Sequence, residues 1–352
     1  MIKCLFCLLA AINCILFVYG AGGTDGEEVI VLDNSSTISH DVLILQVASG
    51  SPLRKELAKN VSDFEITHSG HFILRDLTQG WFKGRVDSSL TVTKQALKTV
   101  PHNITRVAIS EDGKRIAWEN SDLAKSELIV EEYSADKSKV LRVISKNGII
   151  SAPSWSPDGS RLAYYYGPPG AEVRDGYILM VLDVNSASNQ PERLAAPSLW
   201  TRLSPCRPDP PQWSPDGKFI RFEARYDEDV NKTNYVVSAD GKQLAPAEFS
   251  AWDREGGRGY GFKRESNGPG EFLITESDIL PTEEKGSLKI KYRLTVSGTP
   301  IGVVLSPSAT KVAYMQNDKE AYIYDSTTGK TASIGKLASI ACRLMWIDPD
   351  RK

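Results

Sequence analysis

A turn motif that returns along the chain constrains its architecture more than any other feature. Trp155-Ser-Pro-Asp-Gly159 and Trp213-Ser-Pro-Asp-Gly217 each lead into a strand-like stretch. Weaker copies are ISEDGKRIAW from Ile109, with Asp112 and Gly113 in the turn, LSPSATKVAY from Leu305 and WDREG from Trp252. Each copy reads as a strand end, a tight turn and a second strand. Self-similarity at a period of some tens of residues marks stacked repeats.

The chemistry of the motif fits that reading. Proline at the second turn position supplies a type I φ, and glycine at the fourth lets the chain re-enter a strand. Asp158 and Asp216 are the turn carboxylates. After each turn a small residue sits between a branched and an aromatic one: Ile116-Ala117-Trp118, Leu162-Ala163-Tyr164 and Val312-Ala313-Tyr314. Such a strand packs on both faces, with alanine admitting the next sheet. The tryptophan before the turn offers apolar surface for inter-sheet packing.

The turn positions chain at Gly26, Gly70, Gly113, Gly159, Gly217, Gly256, Ala309 and Asp350, spaced 39 to 58 residues apart. That is the range of a four-stranded propeller blade. Third strands read as DVLILQV, ELIVEEY, YILMVLDV, NYVVSAD and AYIYDSTTG, and several fourth strands as LRKEL, VLRVI, LKIKYRL and TASI. Helical periodicity is poor. TDGEEVIVLD begins at a turn and ACRLMWIDPDRK ends at one. The last strand therefore completes the first blade and removes the open edge. The expected fold is an all-β propeller of seven four-stranded blades with a composite closing blade. Six is the alternative, if a weak repeat around Gly70 or Gly256 is an insertion.

The two full WSPDG copies resemble the TolB-type propeller repeat, which also occurs in the propellers of prolyl-oligopeptidase-like enzymes and tricorn protease. The resemblance spans nearly all of the chain after the leader and implies a propeller. TolB-like proteins carry a small α/β domain before the propeller, whereas here the first turn follows the leader almost at once.

Residues 1–20 read as a signal peptide, with Lys3, an apolar run from Cys4 to Tyr19 and a small-residue cleavage site at Val18-Tyr-Gly20. Residues 21–352 are then a single propeller domain. The apolar run is short against the ~20 residues of a spanning helix, so no stable membrane insertion is expected. Net charge is −2 and the charges are mixed, which argues against nucleic acid as a partner. Cys4, Cys7 and Cys14 leave with the leader; Cys206 and Cys342 remain, either paired or as free thiols. Asn34, Asn60, Asn103 and Asn231 each begin an Asn-x-Ser/Thr sequon, a glycosylation acceptor in a eukaryotic secreted chain. All four are assigned to second-to-third or blade-to-blade loops.

Strand alternation sends first-to-second and third-to-fourth turns to one face of the disc. The other loops go to the opposite face, where residues 167–176, 196–211 and 226–233 form three long excursions at one angular position. Long loops on a rigid scaffold are where recognition usually resides. Trp200, Arg202 and Arg207, with Tyr165 and Arg174 nearby, are the candidate partner-binding residues. The bland alternative is a proline-stiffened cover. Asp227, Glu228 and Asp229 read as a solvated acidic loop before a cation site.

Catalytic signatures are scarce. There is no Gly-x-Ser-x-Gly elbow, His-Glu-x-x-His or phosphate loop. His68 and His71 flank the Gly70 turn without a third ligand nearby and read as exposed turn imidazoles. Glu131 and Glu132, like Glu283 and Glu284, are adjacent, and on a strand adjacent carboxylates point to opposite faces. No catalytic residue, metal or cofactor is assigned. The leading expectation is a secreted or periplasmic binding scaffold for a protein or glycan, acting as a monomer. The rivals are a propeller carbohydrate hydrolase or lyase, with carboxylates gathered around the channel, and a TolB-like envelope component.

Overall fold

The fold is that of a computed structural model. It describes residues 28–347 apart from segments between strands, the longest being 168–176, 195–209, 225–232, 265–270 and 280–288. The chain opens with β1 (Glu28–Ser35), β2 (His40–Val47), β3 (Leu53–Ile66), β4 (His71–Asp76), β5 (Gly80–Val86) and β6 (Val92–Ala96). The next sheet holds β7 (Ile104–Ile109), β8 (Arg115–Ser121), β9 (Lys125–Ser134) and β10 (Lys137–Asn147). After it come β11 (Ile149–Trp155), β12 (Arg161–Gly167), β13 (Ile178–Asp183) and β14 (Glu192–Arg193). The fourth sheet is β15 (Gln212–Trp213), β16 (Phe219–Ala224), β17 (Thr233–Ser238) and β18 (Leu244–Pro246). The fifth is β19 (Ala251–Trp252), β20 (Arg258–Arg264), β21 (Glu271–Asp278) and β22 (Lys289–Thr295). The last is β23 (Ile301–Leu305), β24 (Lys311–Met315), β25 (Glu320–Asp325) and β26 (Lys330–Lys336), and β27 (Cys342–Ile347) returns to β1.

Among the described residues these strands form six sheets, five of four strands and one of seven, ordered β27-β1-β2-β3-β4-β5-β6. The propeller therefore has six blades counted as separate sheets, the alternative count. The reason is the 14-residue strand β3. Its first part pairs with β2 and its second with β4, so no break in hydrogen bonding separates the first two repeats. The two halves still pack on each other, through Val42, Leu57 and Val61 against Phe72, Leu74 and Phe82. The composite closure is present: β27 pairs antiparallel with β1, from Val29 opposite Ile347 to Asn34 opposite Cys342.

The cores lie between the sheets. Trp118, Ile73 and Trp81 join the first sheet to the second. Leu128, Val130 and Trp155 join the second to the third, and Tyr165, Leu179, Trp213 and Phe222 the third to the fourth. Ala251, Tyr314 and Trp346 share the cluster that closes the ring. The small residues predicted to admit a neighbouring sheet, Ala117, Ala163 and Ala313, have no exposure.

The repeat turns share one set of bonds. In Ser110-Glu-Asp-Gly113, Ser156-Pro-Asp-Gly159 and Ser214-Pro-Asp-Gly217 the serine hydroxyl donates to the aspartate at 2.6 Å. It accepts from the backbone amide five residues on at 2.9 Å. The aspartate also accepts from the amide two residues on, at 3.0–3.1 Å. The glycines sit at φ 67°, 67° and 70°, which a side chain adopts only with strain. Burial pushes Asp112, Asp158 and Asp216 up, but the hydroxyl and amide bonds outweigh it and hold all three below the usual carboxylate value. Ser238-Ala-Asp-Gly241 repeats the same bonds between β17 and β18. The sequence reading took that stretch only as a strand end.

Candidate functional site

The strands that lead into the repeat turns touch from one repeat to the next, β3 on β7, β7 on β11 and β11 on β15, with β23 on β27. They surround a cavity of about 90 Å³ at the turn face, lined by Glu65, His68, Glu111, Trp155, Gln212 and Trp346 among others. Small-molecule sites run to roughly 300–1,000 Å³, and the space enclosed by the described residues is smaller than that.

Side chains around this ring are used to hold one blade to the next. Glu111, which stands where the full motif has proline, accepts from the amides of Ser69 at 2.6 Å and His68 at 3.4 Å in the preceding turn. The carbonyl of Glu111 accepts from His71 Nδ1 at 3.0 Å, and the His71 ring covers Gly113 so closely that a Cβ there would lie 2.4 Å from it. His71 is thus an inter-blade contact and not an exposed turn imidazole. Burial pulls it below its ordinary pKa, against the opposing bond to Glu111. Arg115 Nη1 donates to the Gly159 carbonyl at 2.6 Å and Arg161 Nη2 to the Gly217 carbonyl at 2.7 Å. The indoles of Trp155 and Trp213 donate to Ala108 and Ser154 in the preceding sheet, each at 3.1 Å.

Two glutamates are nearly fully buried, at 3% for Glu119 and 7% for Glu131. Glu119 accepts from Thr105 Oγ1 at 3.0 Å and, across to the next sheet, from the amide of Ala152 at 2.8 Å. Ala152 is at φ 58° within a bulge of β11. Glu131 accepts from Trp118 Nε1 at 2.7 Å and from the Tyr133 hydroxyl at 2.6 Å. Burial, with that carboxylate beside it, pushes the Tyr133 phenol far above its usual range. Glu132, on the opposite face of β9, reaches Arg115 instead, as strand alternation requires. These carboxylates act as acceptors for their own chain's donors.

The predicted binding residues fare differently. Arg174, Trp200, Arg202 and Arg207 lie outside the described residues, as do Cys206, Asp227, Glu228, Asp229, Asn231, Glu283 and Glu284. Tyr165 is a correction: it has no exposure and packs in the core between the third and fourth sheets, so it offers no surface to a partner. The loop assignment of the sequons also changes. Asn34 lies within β1 and Asn60 within β3, because both strands run further than the repeat suggested. Asn103 directly precedes β7. Asn60 and Asn103 are exposed. Among the described residues no group of three His, Cys, Asp or Glu is placed to hold a metal ion, and no helix is long and apolar enough to cross a membrane.

Sequence reasoning missed the inter-blade bonds. A signal existed for the arginines, since Arg115 and Arg161 stand at the same offset after their turn glycines. Glu111 was marked by its departure from the motif. Nothing in the sequence distinguished Glu119.

No protein-family model matches the chain, and no curated protein matches it. Solved structures do. Oligogalacturonate lyase from Vibrio parahaemolyticus aligns at 12% identity and TM-score 0.55, over 91% of this chain and 88% of its own. A functionally unknown protein from Desulfotomaculum acetoxidans aligns at 13% and 0.52, over 92% and 100%. TolB from Acinetobacter baumannii aligns at 15% and 0.44, over 90% and 82%. At these identities the likeness is one of architecture, and what the chain shares with the first two of these structures is the β-propeller fold.

Proposed function

We propose that this protein is an extracytoplasmic binding scaffold without chemistry of its own. It engages a protein or glycan partner through the disc face that carries residues 167–176, 196–211 and 226–233. The observation that supports the reading is the use of its buried carboxylates. Glu119 and Glu131, and the half-buried Glu111, are each taken up by donors of the same chain. Most glycoside hydrolases instead turn two carboxylates toward the sugar. The signal-peptide pattern read in residues 1–20 supports the compartment.

The test is a crosslinking pull-down from the extracytoplasmic fraction with the chain as bait. Trp200→Ala with Arg207→Ala should weaken capture by roughly 2 kcal/mol or more, the scale of hot-spot residues. Lys242→Ala is the control, because Lys242 follows a third-to-fourth turn on the other face and its side chain is 79% exposed. Arg115 is unsuited to that purpose, since it is bonded into the next blade. Full recovery with the double variant would place the site elsewhere. Cleavage of oligogalacturonate by the purified chain would replace the scaffold reading with a lyase.

A further inference from the structure

Two sequons occupy the same place in consecutive repeats. Asn60-Val-Ser62 and Asn103-Ile-Thr105 each begin ten residues before a turn glycine, Gly70 and Gly113. The structure gives both asparagines the same backbone, φ 54° and 55°. Both are exposed. Each sits where the chain enters a first strand, β3 in its second half and β7, and these two strands are in contact. The pair therefore lies on adjacent strands at the disc face opposite the turns.

Asparagine tolerates left-handed backbone without any modification, so φ alone accounts for the residue. It does not account for the hydroxyl two positions on. Thr105 has a structural use on Glu119, whereas among the described residues Ser62 bonds to the side chain of its neighbour Asp63, at 2.9 Å. The common element is the acceptor sequence, placed twice at an exposed position.

We propose that Asn60 and Asn103 both carry N-linked oligosaccharides, set side by side over the entry to β3 and β7. In the transfer, the carboxamide nitrogen bonds to the anomeric carbon of a lipid-diphosphate-linked oligosaccharide. The bond from that carbon to the diphosphate oxygen breaks, the lipid diphosphate leaves, and the nitrogen gives up one proton. The two glycans screen this sector of the face and leave the turn face bare. The proposal rests on the extracytoplasmic reading, because the donor is met only after translocation.

The experiment expresses the full chain with its own leader in a eukaryotic secretory cell, and in parallel translates it with microsomes. Glycan release by an amidase in heavy-oxygen water marks each occupied asparagine as labelled aspartate. Both sites should be labelled. Ser62→Ala and Asn103→Gln should each remove one glycan, the pair should remove both, and Thr105→Ser should retain its own. Ser62→Ala keeps the Asn60 backbone, so its melting should be unchanged apart from the lost glycan. A chain protected inside the microsomes but unlabelled at Asn60 and Asn103 overturns this proposal and leaves the scaffold reading standing. A chain left outside the microsomes overturns both.

Discussion

Arg161 is bonded to Gly217 across a blade boundary. Its Nη2 donates to the glycine carbonyl at 2.7 Å while the guanidinium lies 4.8 Å over the Trp213 ring. One side chain thus fixes the next repeat's turn and the tryptophan that precedes it. A planar fork suits both contacts at once, and an ammonium does not. Arg161→Lys should therefore cost about 1–2 kcal/mol and Arg161→Ala about 1–3 kcal/mol. Denaturant unfolding of both variants checks this. A lysine variant as stable as the parent would mean that charge alone suffices.

Glu119 offers a sharper contrast. Its carboxylate holds the Ala152 amide, whose residue is kept at positive φ in a buried bulge. Glu119→Ala leaves that amide unpaired, at a cost of about 1–3 kcal/mol, and releases the constraint on the bulge. Hydrogen exchange at Ala152 should accelerate beyond the change in global stability. Equal acceleration at Ala152 and at Val181, in the middle of the same sheet, would show that the bond has no local role.

How much of this was legible beforehand follows from range. The turn is a local object: serine, aspartate and glycine within six residues make every bond it needs, so WSPDG announces it. The bonds between blades described above join residues 33 to 59 apart, such as Glu119 to Ala152 and Trp213 to Ser154. A linear pattern carries no distance at that range. The blade count came out at the alternative of six for a related reason. Whether β3 breaks or continues at Asn60 depends on which strands pair with each half, and no residue in LAKNVSDF forces a break. Tyr165 was misread because a strand with both faces packed buries its aromatics, and only neighbouring sheets reveal that.

The turn glycines divide by backbone. Gly159 is at φ 67° with only Ser110 Cβ near, at 3.6 Å. Gly257 is not at positive φ and has nothing within 4 Å. Gly159→Val should cost on the order of 1–3 kcal/mol through strain, and Gly257→Val a few tenths. Thermal melting of the two separates strain from crowding, since neither site is crowded. Equal losses would contradict the turn assignment.

Acid should loosen the ring in two stages. The pKa of His71 is lowered by burial, aided by Arg85 and Lys83 and opposed by Asp112. The unfolded chain therefore takes up the proton first. This contribution to stability is complete above the ordinary value of 6.5 and is lost as pH falls below it toward the folded value. Asp112, Asp158 and Asp216 are also lowered, from 3.8. Their contribution is present above that value and is lost as pH falls through their folded values. Tm should fall first in the mildly acidic range and again near the carboxylate range. His71→Gln should abolish the first step and keep the second. An unchanged first step in that variant would assign it to another group.

Closure by the last strand carries the largest expected effect. In β27 alternate residues serve two cores: Leu344 and Trp346 face the cluster that includes Tyr314, while Met345 and Ile347 face the one that includes Phe72. All four are 2–3% exposed. Burying such side chains is worth roughly 1.5–3 kcal/mol each, so together they rival the ~5–15 kcal/mol that holds a domain folded. Deleting residues 341–352 also frees the edge of β1, which then invites pairing with another chain. The truncated protein should aggregate or fail to accumulate outside the cell. Trp346→Ala, which keeps the strand and leaves a cavity, should lose about 3–5 kcal/mol and remain monomeric. Sedimentation and melting of the two variants give the comparison. A truncated chain that stays monomeric with an unchanged Tm would show that the ring does not close through β27.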